Sequence, residues 1–174
     1  MTLDGSYDLN RETYNGELTL SRFPLDRFLT VDSLGSASAN FRLEGRYFSW
    51  PQAKTSVNAG IRQLFYKEHE YKDITLQATL DKTHLRGTMV SKDPDAPLDL
   101  VFRGDSLQQQ YQVGLGGYIG KVDLQALHLM QEPLTMGLKV DLQGFIGEHS
   151  AYALKARFDS LSMADSRKTY TLGS

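Results

Sequence analysis

Cysteine is absent from the 174-residue chain, so disulfide bonds, thiol catalysis and cysteine-ligated zinc are all excluded. An excess of either charge is lacking too: 19 lysines and arginines stand against 21 aspartates and glutamates, and neither sign forms blocks. A nucleic-acid-binding surface needs a basic patch and is therefore not expected. No apolar run approaches the roughly 20 residues of a membrane-spanning helix.

The sequence also lacks the motifs of common catalytic and cofactor chemistry. The glycine-rich residues 114–120 fail the G-x-G-x-x-G register of a phosphate-binding loop, and no G-x-S-x-G marks a nucleophilic serine. Asp93-Pro94-Asp95 lacks the spaced acceptors and closing glutamate of a calcium loop, and proline-set turn chemistry explains it better. The four histidines lack metal-ligand spacing, at His69, His84, His128 and His149. We therefore predict no enzymatic activity, no catalytic residue, no metal and no cofactor.

What the sequence does have is an alternation of apolar and polar residues, clearest over residues 71–104. Three successive runs there have a period of two, at 74–80, 85–89 and 98–102. This period is typical of a sheet with one apolar and one wetted face. The connections between the runs are short and rich in turn residues, which predicts antiparallel pairing because a parallel pair needs a long crossover.

The same period recurs along most of the chain, and its longest series runs over residues 134–142. Residues 23–29 interrupt it with a proline and with apolar residues at helical spacing, which predicts one or two helical turns. Residues 35–38 and 116–120 are predicted loops. Residues 122–130 fit either a strand or a short helix, since their apolar positions satisfy both periods.

These patterns predict an all-β fold: an elongated, curved and mainly antiparallel sheet with one or two short helical segments. We expect residues 1–174 to form a single segment of a longer, β-rich and repeat-like protein, with sub-halves at 1–104 and 105–174. A looser recurrence accompanies this division, because a short segment rich in Phe and Leu precedes a β run at 23–29 and again at 122–130. The strand pattern of the last residues, 170–174, is the reason for expecting a longer parent chain.

Three stretches carry a resemblance to a known family: LDGSYDLNRETYNGELTLSRFPLDRFL, then YKDITLQATLDKTHLRGTMVSKDPDAPLDLVFRGD, then KVDLQALHLMQEPLTMGLKVDLQGFIG. Their order resembles the AsmA-like and TamB families of Gram-negative envelope proteins, and most of all the long TamB-like chains of the Bacteroides group. The resemblance covers essentially the whole chain and rests on the succession of strands, turns and short Leu/Phe segments. It implies a sheet folded along its length into a taco-like trough with an apolar interior.

The resemblance also implies a location and partners. The parent chain is expected to be anchored in the inner membrane, to span the periplasm of the cell envelope, and to move phospholipid towards the outer membrane or assist outer-membrane protein assembly. The implied partners are phospholipid acyl chains, adjoining segments of the same chain and, through regions that these residues do not include, an outer-membrane assembly protein. No nucleic-acid partner is expected.

A continuous apolar surface can hold lipid without a specific polar contact, since each acyl CH₂ removed from water gains about 0.8 kcal/mol. The alternating apolar residues on one side of the predicted strands are therefore the candidate lipid-contacting face. They are Ile74, Leu76, Leu80, Leu85, Met89, Leu98, Leu100, Phe102, Leu134, Met136, Leu138, Val140, Leu142, Leu154 and Phe158.

An alternative remains open from the residues alone. The same alternating side chains could form the sealed core of a closed β-sandwich, an adhesion or carbohydrate-binding module of a secreted protein that stacks aromatic side chains on sugar rings. One aromatic group fits either a core plug or a patch that contacts sugar or lipid: Tyr47, Phe48, Trp50, Phe65 and Tyr66. A trough should leave both sheet edges open and carry an apolar stripe across successive strands, whereas a module should close its core and gather its aromatics.

Overall fold

The computed structural model describes residues 1–28, 33–49, 52–107, 110–127, 129–146, 152–165 and 168–172. Within these ranges the chain forms eleven strands and one short 3-10 helix, Leu25–Arg27. The strands are β1 (Thr2–Asp8), β2 (Thr13–Pro24), β3 (Leu34–Arg46), β4 (Lys54–Tyr66), β5 (His69–Asp81), β6 (His84–Ser91), β7 (Leu98–Leu107), β8 (Gln110–Asp123), β9 (Leu134–Ile146), β10 (Tyr152–Asp165) and β11 (Thr169–Leu172).

All eleven strands belong to one sheet whose spatial order is the order of the chain. Every neighbouring pair is antiparallel, from β1 with β2 to β10 with β11. β1 and β11 are the two edges and do not pair with each other, so the sheet is open and curved. The predicted all-β, antiparallel architecture is confirmed. The boundary predicted after residue 104 falls inside β7, which pairs with β8 on both sides of that point.

The alternation of apolar and polar residues in the sequence corresponds to the two faces of the sheet. Along β5, Ile74, Leu76 and Leu80 are half-buried, whereas Thr75 and Gln77 between them are exposed. Antiparallel pairing then places Leu76 opposite Met89 and Leu80 opposite Leu85, so apolar residues meet apolar residues across the strands.

Two predicted loops were wrong. Residues 35–38 belong to β3, and residues 116–120 belong to β8. Small residues and glycines suggested a loop in both places, but residues 36–38 and 116–119 pair with neighbouring strands and belong to the sheet. The ambiguous residues 122–130 continue β8 only to Asp123, whose Oδ1 then accepts hydrogen bonds from the N–H groups of Gln125 (3.0 Å) and Ala126 (3.0 Å) in a turn.

A second layer does not cover the sheet within the described residues. Substantial contacts between described elements join neighbouring strands, or β3 and the 3-10 helix. The accessible surface is 12176 Å², whereas a compact monomer of 19.6 kDa exposes about 8,600 Å². The excess is the surface of a sheet that is not closed on itself.

A line of backbone irregularities, here called the bulge line, crosses this sheet. Register shifts occur after Leu20 in β2, beside Ile61 in β4, after Ile119 in β8 and after Asp159 in β10. They lie just beyond one row of residues that pair from strand to strand across β2 to β9: Leu20, Ala39, Ile61, Ile74, Ser91, Leu98, Ile119 and Leu138. Bulges bend strands and increase their twist, so the sheet bends along this line.

The bulge line also changes which side chains share a face. Ala37 and Ala39 are two residues apart on β3 and hence lie on one face. Followed through β4, their partners on β5 are Tyr71 and Ile74, which are three residues apart. Asp73, between these two, has a positive φ of 50°. Tyr71 and, two residues before it, His69 therefore lie on the same face as Ile74.

Candidate functional site

The register places all fifteen predicted lipid-contacting residues on one side of the sheet, here called the apolar face. One row shows the arrangement: Leu76 pairs with Met89, Met89 with Leu100, and across Gly117 the row continues to Val140 and Phe158. The face is larger than the predicted set, because β2, β3, β4 and β8 add Leu18, Leu20, Phe41, Leu43, Val57, Ala59, Ile61, Leu115 and Ile119. The same alternation of apolar and polar residues is present in these four strands and would have identified the added residues.

The apolar face is least covered towards the edges of the sheet. Val140 in β9 is only 5% exposed, whereas Phe158 and Leu154 in the neighbouring β10 are 62% and 77% exposed. Leu3 in the edge strand β1 is 72% exposed. Large apolar side chains at both flanks thus face water without a cover from the described chain.

Glycines on the apolar face make room for rings that lie along it. The ring of Phe102 occupies the position that a Cβ at Gly87 would take, and the ring of Tyr14 occupies the corresponding position at Gly45. Tyr14 is anchored there by a hydrogen bond between its hydroxyl and that of Thr55. The rings therefore lie over the sheet as part of a continuous surface.

One end of the apolar face, beyond the bulge line, is closed by the connections after β6 and β8. Ala96 and Leu127, from these two connections, are buried. The connection after β6 is tied to β8 by hydrogen bonds from Gly120 N to the Pro97 carbonyl (2.7 Å) and from Asp123 N to the Asp95 carbonyl (3.0 Å). The connection after β8 is tied to β9 by one from Leu124 N to the Leu134 carbonyl (2.9 Å). This end therefore has a small core of its own.

A polar group, here called the His69 cluster and consisting of His69, Asp93 and Asp95, lies in this closed end. Asp93 is 2% exposed. Its Oδ1 accepts hydrogen bonds from the N–H groups of Asp95 (2.9 Å) and Ala96 (3.2 Å), and its Oδ2 accepts one from Lys72 N (2.8 Å). The turn predicted for residues 93–95 is therefore present, and its buried carboxylate also holds the start of β5.

His69 faces this carboxylate. Its Nδ1 lies 3.2 Å from the Ala126 carbonyl oxygen and its Nε2 lies 3.6 Å from Asp93 Oδ2. Nε2 is buried and has no hydrogen-bond partner among the described residues. The edge of the ring meets Tyr71 at a centroid distance of 4.6 Å. Burial, and next the charge of Asp93, raise the pKa of the Tyr71 hydroxyl above its usual value.

No motif or spacing in the sequence brings the three members of the His69 cluster together. Its members are far apart in the chain, and the period of two would place His69 on the opposite face had the bulge line not shifted it. Of the other histidines, His84 lies on the polar side of the sheet, and His128 and His149 lie outside the described residues. Within the described part of the chain, His69, Asp93 and Asp95 are the group whose side chains could hold a metal ion.

The aromatic group singled out in the sequence does not assemble into one patch. Phe48 lies beyond the end of β3 and packs on Tyr14 (ring centroids 4.3 Å) and Tyr7 (5.4 Å). Phe65 and Tyr66 lie at the far end of β4, about 35 Å away at roughly 3.3 Å per residue. Tyr47 follows β3 directly and has a positive φ of 57°, and Trp50 lies outside the described residues.

The opposite side of the sheet, here called the polar face, carries paired charges. Asp105 Oδ1 lies 2.8 Å from Arg86 Nη2 and 2.6 Å from His84 Nδ1. The hydrogen bond from Arg86, and then that from His84, hold the pKa of Asp105 below its usual value. Among other pairs, Arg42 meets Glu17 at 3.5 Å and Lys54 meets Asp81 at 3.1 Å.

A pH titration tests the Asp105 group. Because the folded-state pKa of Asp105 is lowered, its stabilising contribution is complete above the unfolded value of about 3.9 and is lost as the pH falls through the folded value. We expect Asp105→Asn to lower the free energy of unfolding at pH 6 by up to about 1 kcal/mol, and by less at pH 2.5. Urea unfolding at the two pH values measures this. Asp99→Asn, an exposed carboxylate on the same strand, is the control, and equal pH dependence in both variants would contradict the assignment.

No described helix is long or apolar enough to cross a membrane. The chain matches no protein-family model, and comparisons with curated proteins and with solved structures find no significant match.

Proposed function

We propose that this chain is a non-catalytic segment of an envelope protein of the AsmA-like and TamB kind, and that its apolar face holds the acyl chains of phospholipids. The observation that carries the proposal is a continuous apolar face on an open sheet, which the described chain covers only at the closed end beyond the bulge line. The parent chain, anchored in the inner membrane and spanning the periplasm, would use this face to pass lipid outwards or to assist outer-membrane protein assembly.

The dimensions of the apolar face suit an acyl chain. Rows of apolar residues cross nine strands from β2 to β10, a width of about 38 Å at roughly 4.8 Å between strands. An acyl chain of one leaflet extends through about half of a hydrocarbon core of roughly 30 Å. About two acyl chains therefore fit end to end along one row. Contiguous exposed apolar surface on a soluble protein typically marks a binding site, which supports a ligand for this face.

The alternative, a closed sandwich that binds carbohydrate, has less support. A sealed core needs a second sheet over the apolar face, and the described residues form a single sheet. A sugar-stacking patch needs aromatics side by side, whereas Phe48 and Phe65 lie near opposite ends of β4. Both features favour the lipid-holding function over the binding module.

Native mass spectrometry of the purified chain, before and after mixing with phospholipid vesicles, tests the proposal. We expect adducts of phospholipid mass on the wild-type chain. Leu76→Asp, and Leu154→Asp at the exposed flank, should reduce the adduct fraction at least tenfold. The reason is that taking a carboxylate out of water into contact with an acyl chain costs more than the roughly 1.4 kcal/mol that corresponds to a factor of ten.

Matched controls place the same charge on the polar face, one residue away on each strand. Gln77→Asp and Ala153→Asp should retain the adducts of the wild type. Because Leu154 is already exposed, its replacement should leave the thermal unfolding of the chain unchanged, which separates loss of lipid from loss of fold. A spectrum without adducts for the wild type under both conditions, or equal adducts in Leu154→Asp and Ala153→Asp, would rule out the proposed function.

A further inference from the structure

We propose that the His69 cluster binds a divalent metal ion of borderline hardness, of which Zn²⁺ is the natural probe. His69, Asp93 and Asp95 each offer one ligand atom, and these three atoms lie within 4.8 Å of one another. The proposal does not depend on lipid binding, since the cluster lies in the closed end of the sheet and is held by its own connections.

The orientation of His69 points to a cation at Nε2. A carbonyl oxygen only accepts hydrogen bonds, so in the contact with Ala126 the proton is on Nδ1. In the neutral ring, Nε2 then carries a lone pair, and Asp93 Oδ2 lies 3.6 Å from it in a buried space. Two lone-pair-bearing atoms this close repel each other unless a positive charge lies between them. Metal-binding histidines characteristically donate their other N–H to a carbonyl or carboxylate, as His69 does to Ala126.

The distance supports a shared ion over a direct hydrogen bond. An N–H···O hydrogen bond joins atoms about 2.7–3.2 Å apart, and 3.6 Å is beyond that range. Two ligands about 2.0–2.2 Å from a tetrahedral zinc ion stand roughly 3.4 Å apart. The observed separation of Nε2 and Oδ2 therefore needs a shift of only a few tenths of an ångström to accommodate the ion.

Counted over the described residues, the hydrogen bonds of Asp93 leave one acceptor site free, and this site is on Oδ2. Each carboxylate oxygen has two lone-pair sites. Oδ1 uses both, for Asp95 N and Ala96 N, while Oδ2 uses one for Lys72 N. The remaining site is on Oδ2, the atom that faces His69 Nε2. The carboxylate is therefore fixed by three backbone groups and still able to bind one ion.

The ligand set selects the class of metal. One imidazole nitrogen with two carboxylates suits zinc and its transition-metal neighbours, whereas calcium takes six to eight oxygen ligands and magnesium keeps most of its waters. Three protein ligands would leave a position for water. An ion held by these three ligands would link His69, at the start of β5, to the connection after β6. Through the hydrogen bond between His69 and Ala126, it would also link β5 to the connection after β8.

The test is a titration of the whole chain, freed of metal by chelator, with Zn²⁺ by calorimetry and with Co²⁺ by visible absorption. We expect one ion per chain and a rise in the melting temperature with Zn²⁺ but not with Mg²⁺. His69→Gln should weaken Zn²⁺ binding at least tenfold, since even indirect partners of a metal ligand contribute that much. His84→Gln, a histidine beside a carboxylate on the polar face, should bind Zn²⁺ as the wild type does.

Asp95→Asn provides a second comparison, because Asp95 is less buried than Asp93 and its replacement should not disturb the fold. Weakened binding in both His69→Gln and Asp95→Asn supports the site. The proposal is overturned if the wild type binds no Zn²⁺, if His69→Gln binds as tightly as His84→Gln, or if Co²⁺ gives no spectrum of nitrogen coordination.

Discussion

Replacing Asp93 with alanine should lower the free energy of unfolding by about 3 kcal/mol or more, measured with a chelator present so that no metal contributes. The carboxylate is buried and accepts hydrogen bonds from the N–H groups of Lys72, Asp95 and Ala96. Alanine would leave the N–H groups of Lys72 and Asp95 without their acceptor, and Ala96 N–H would keep only its longer contact with the carbonyl oxygen of residue 93 (3.3 Å). A buried donor that loses its partner costs roughly 1–3 kcal/mol, and the three share one small core in which water is poorly placed to replace the carboxylate.

Urea unfolding of three variants separates this effect from a simple change of charge. Asp99→Ala, on the polar face of β7, should change the free energy of unfolding by less than about 0.5 kcal/mol. Asp93→Asn should fall between the two, because an amide oxygen can still accept at the Oδ1 position while the amide nitrogen would meet Lys72 N–H. If Asp93→Ala is no less stable than Asp99→Ala, Asp93 does not organise the closed end.

Of all single methyl additions on the apolar face, Gly117→Ala is expected to be the most destabilising. It should lower the free energy of unfolding by about 3 kcal/mol or more. Gly117 has a φ of +147°, a conformation that residues with a side chain rarely adopt. A Cβ at this position would overlap the Asp99 carbonyl oxygen and approach Leu100 Cα at 2.9 Å, both on the backbone of β7. Backbone strain of about 1–3 kcal/mol then adds to an overpacking cost of similar size.

Gly116, the residue before Gly117, provides the matched control. Gly116→Ala adds the same methyl group where the nearest atom, the Val140 carbonyl oxygen, is 3.8 Å away. It should be neutral within about 0.5 kcal/mol, or slightly stabilising, since alanine restricts the unfolded chain more than glycine does. Denaturant midpoints of the two variants provide the comparison. Similar midpoints would mean that β7 and β8 do not approach each other as closely at Gly117 as described.

The sequence predicted the strands and the apolar face because these features are local. Ile74, Leu76 and Leu80 alternate with polar residues, and a strand turns every second side chain to the same side wherever it lies in a sheet. Residues 116–120 misled the same reasoning, because glycine content indicates a loop on its own. Here Gly117 instead leaves space for the backbone of β7 to approach closely. This role depends on a neighbouring strand, so the local sequence does not reveal it.

The His69 cluster could not be predicted, for a different reason. It depends on a backbone irregularity at Asp73, with its φ of 50°, that moves His69 to the apolar side. Aspartate tolerates positive φ better than most residues, yet nothing local distinguishes Asp73 from Asp81 or Asp99, which continue ordinary strands. The position of the irregularity depends on the register of several strands together. Asp93 also lies far from it in the sequence, in the connection between β6 and β7.

The order of the strands has a consequence for how the sheet comes apart. Because each strand pairs only with those before and after it in the chain, the fold is close to one-dimensional, and hairpins can detach from either edge while the middle remains intact. Opening should then be easiest at β1 and β11 and hardest near β5 to β8. Backbone hydrogen bonds join each strand only to its neighbours, whereas a long apolar ligand lying across many strands would contact several hairpins at once. Binding would therefore make the unfolding of the sheet more cooperative, so that the hairpins open together instead of one by one from the edges.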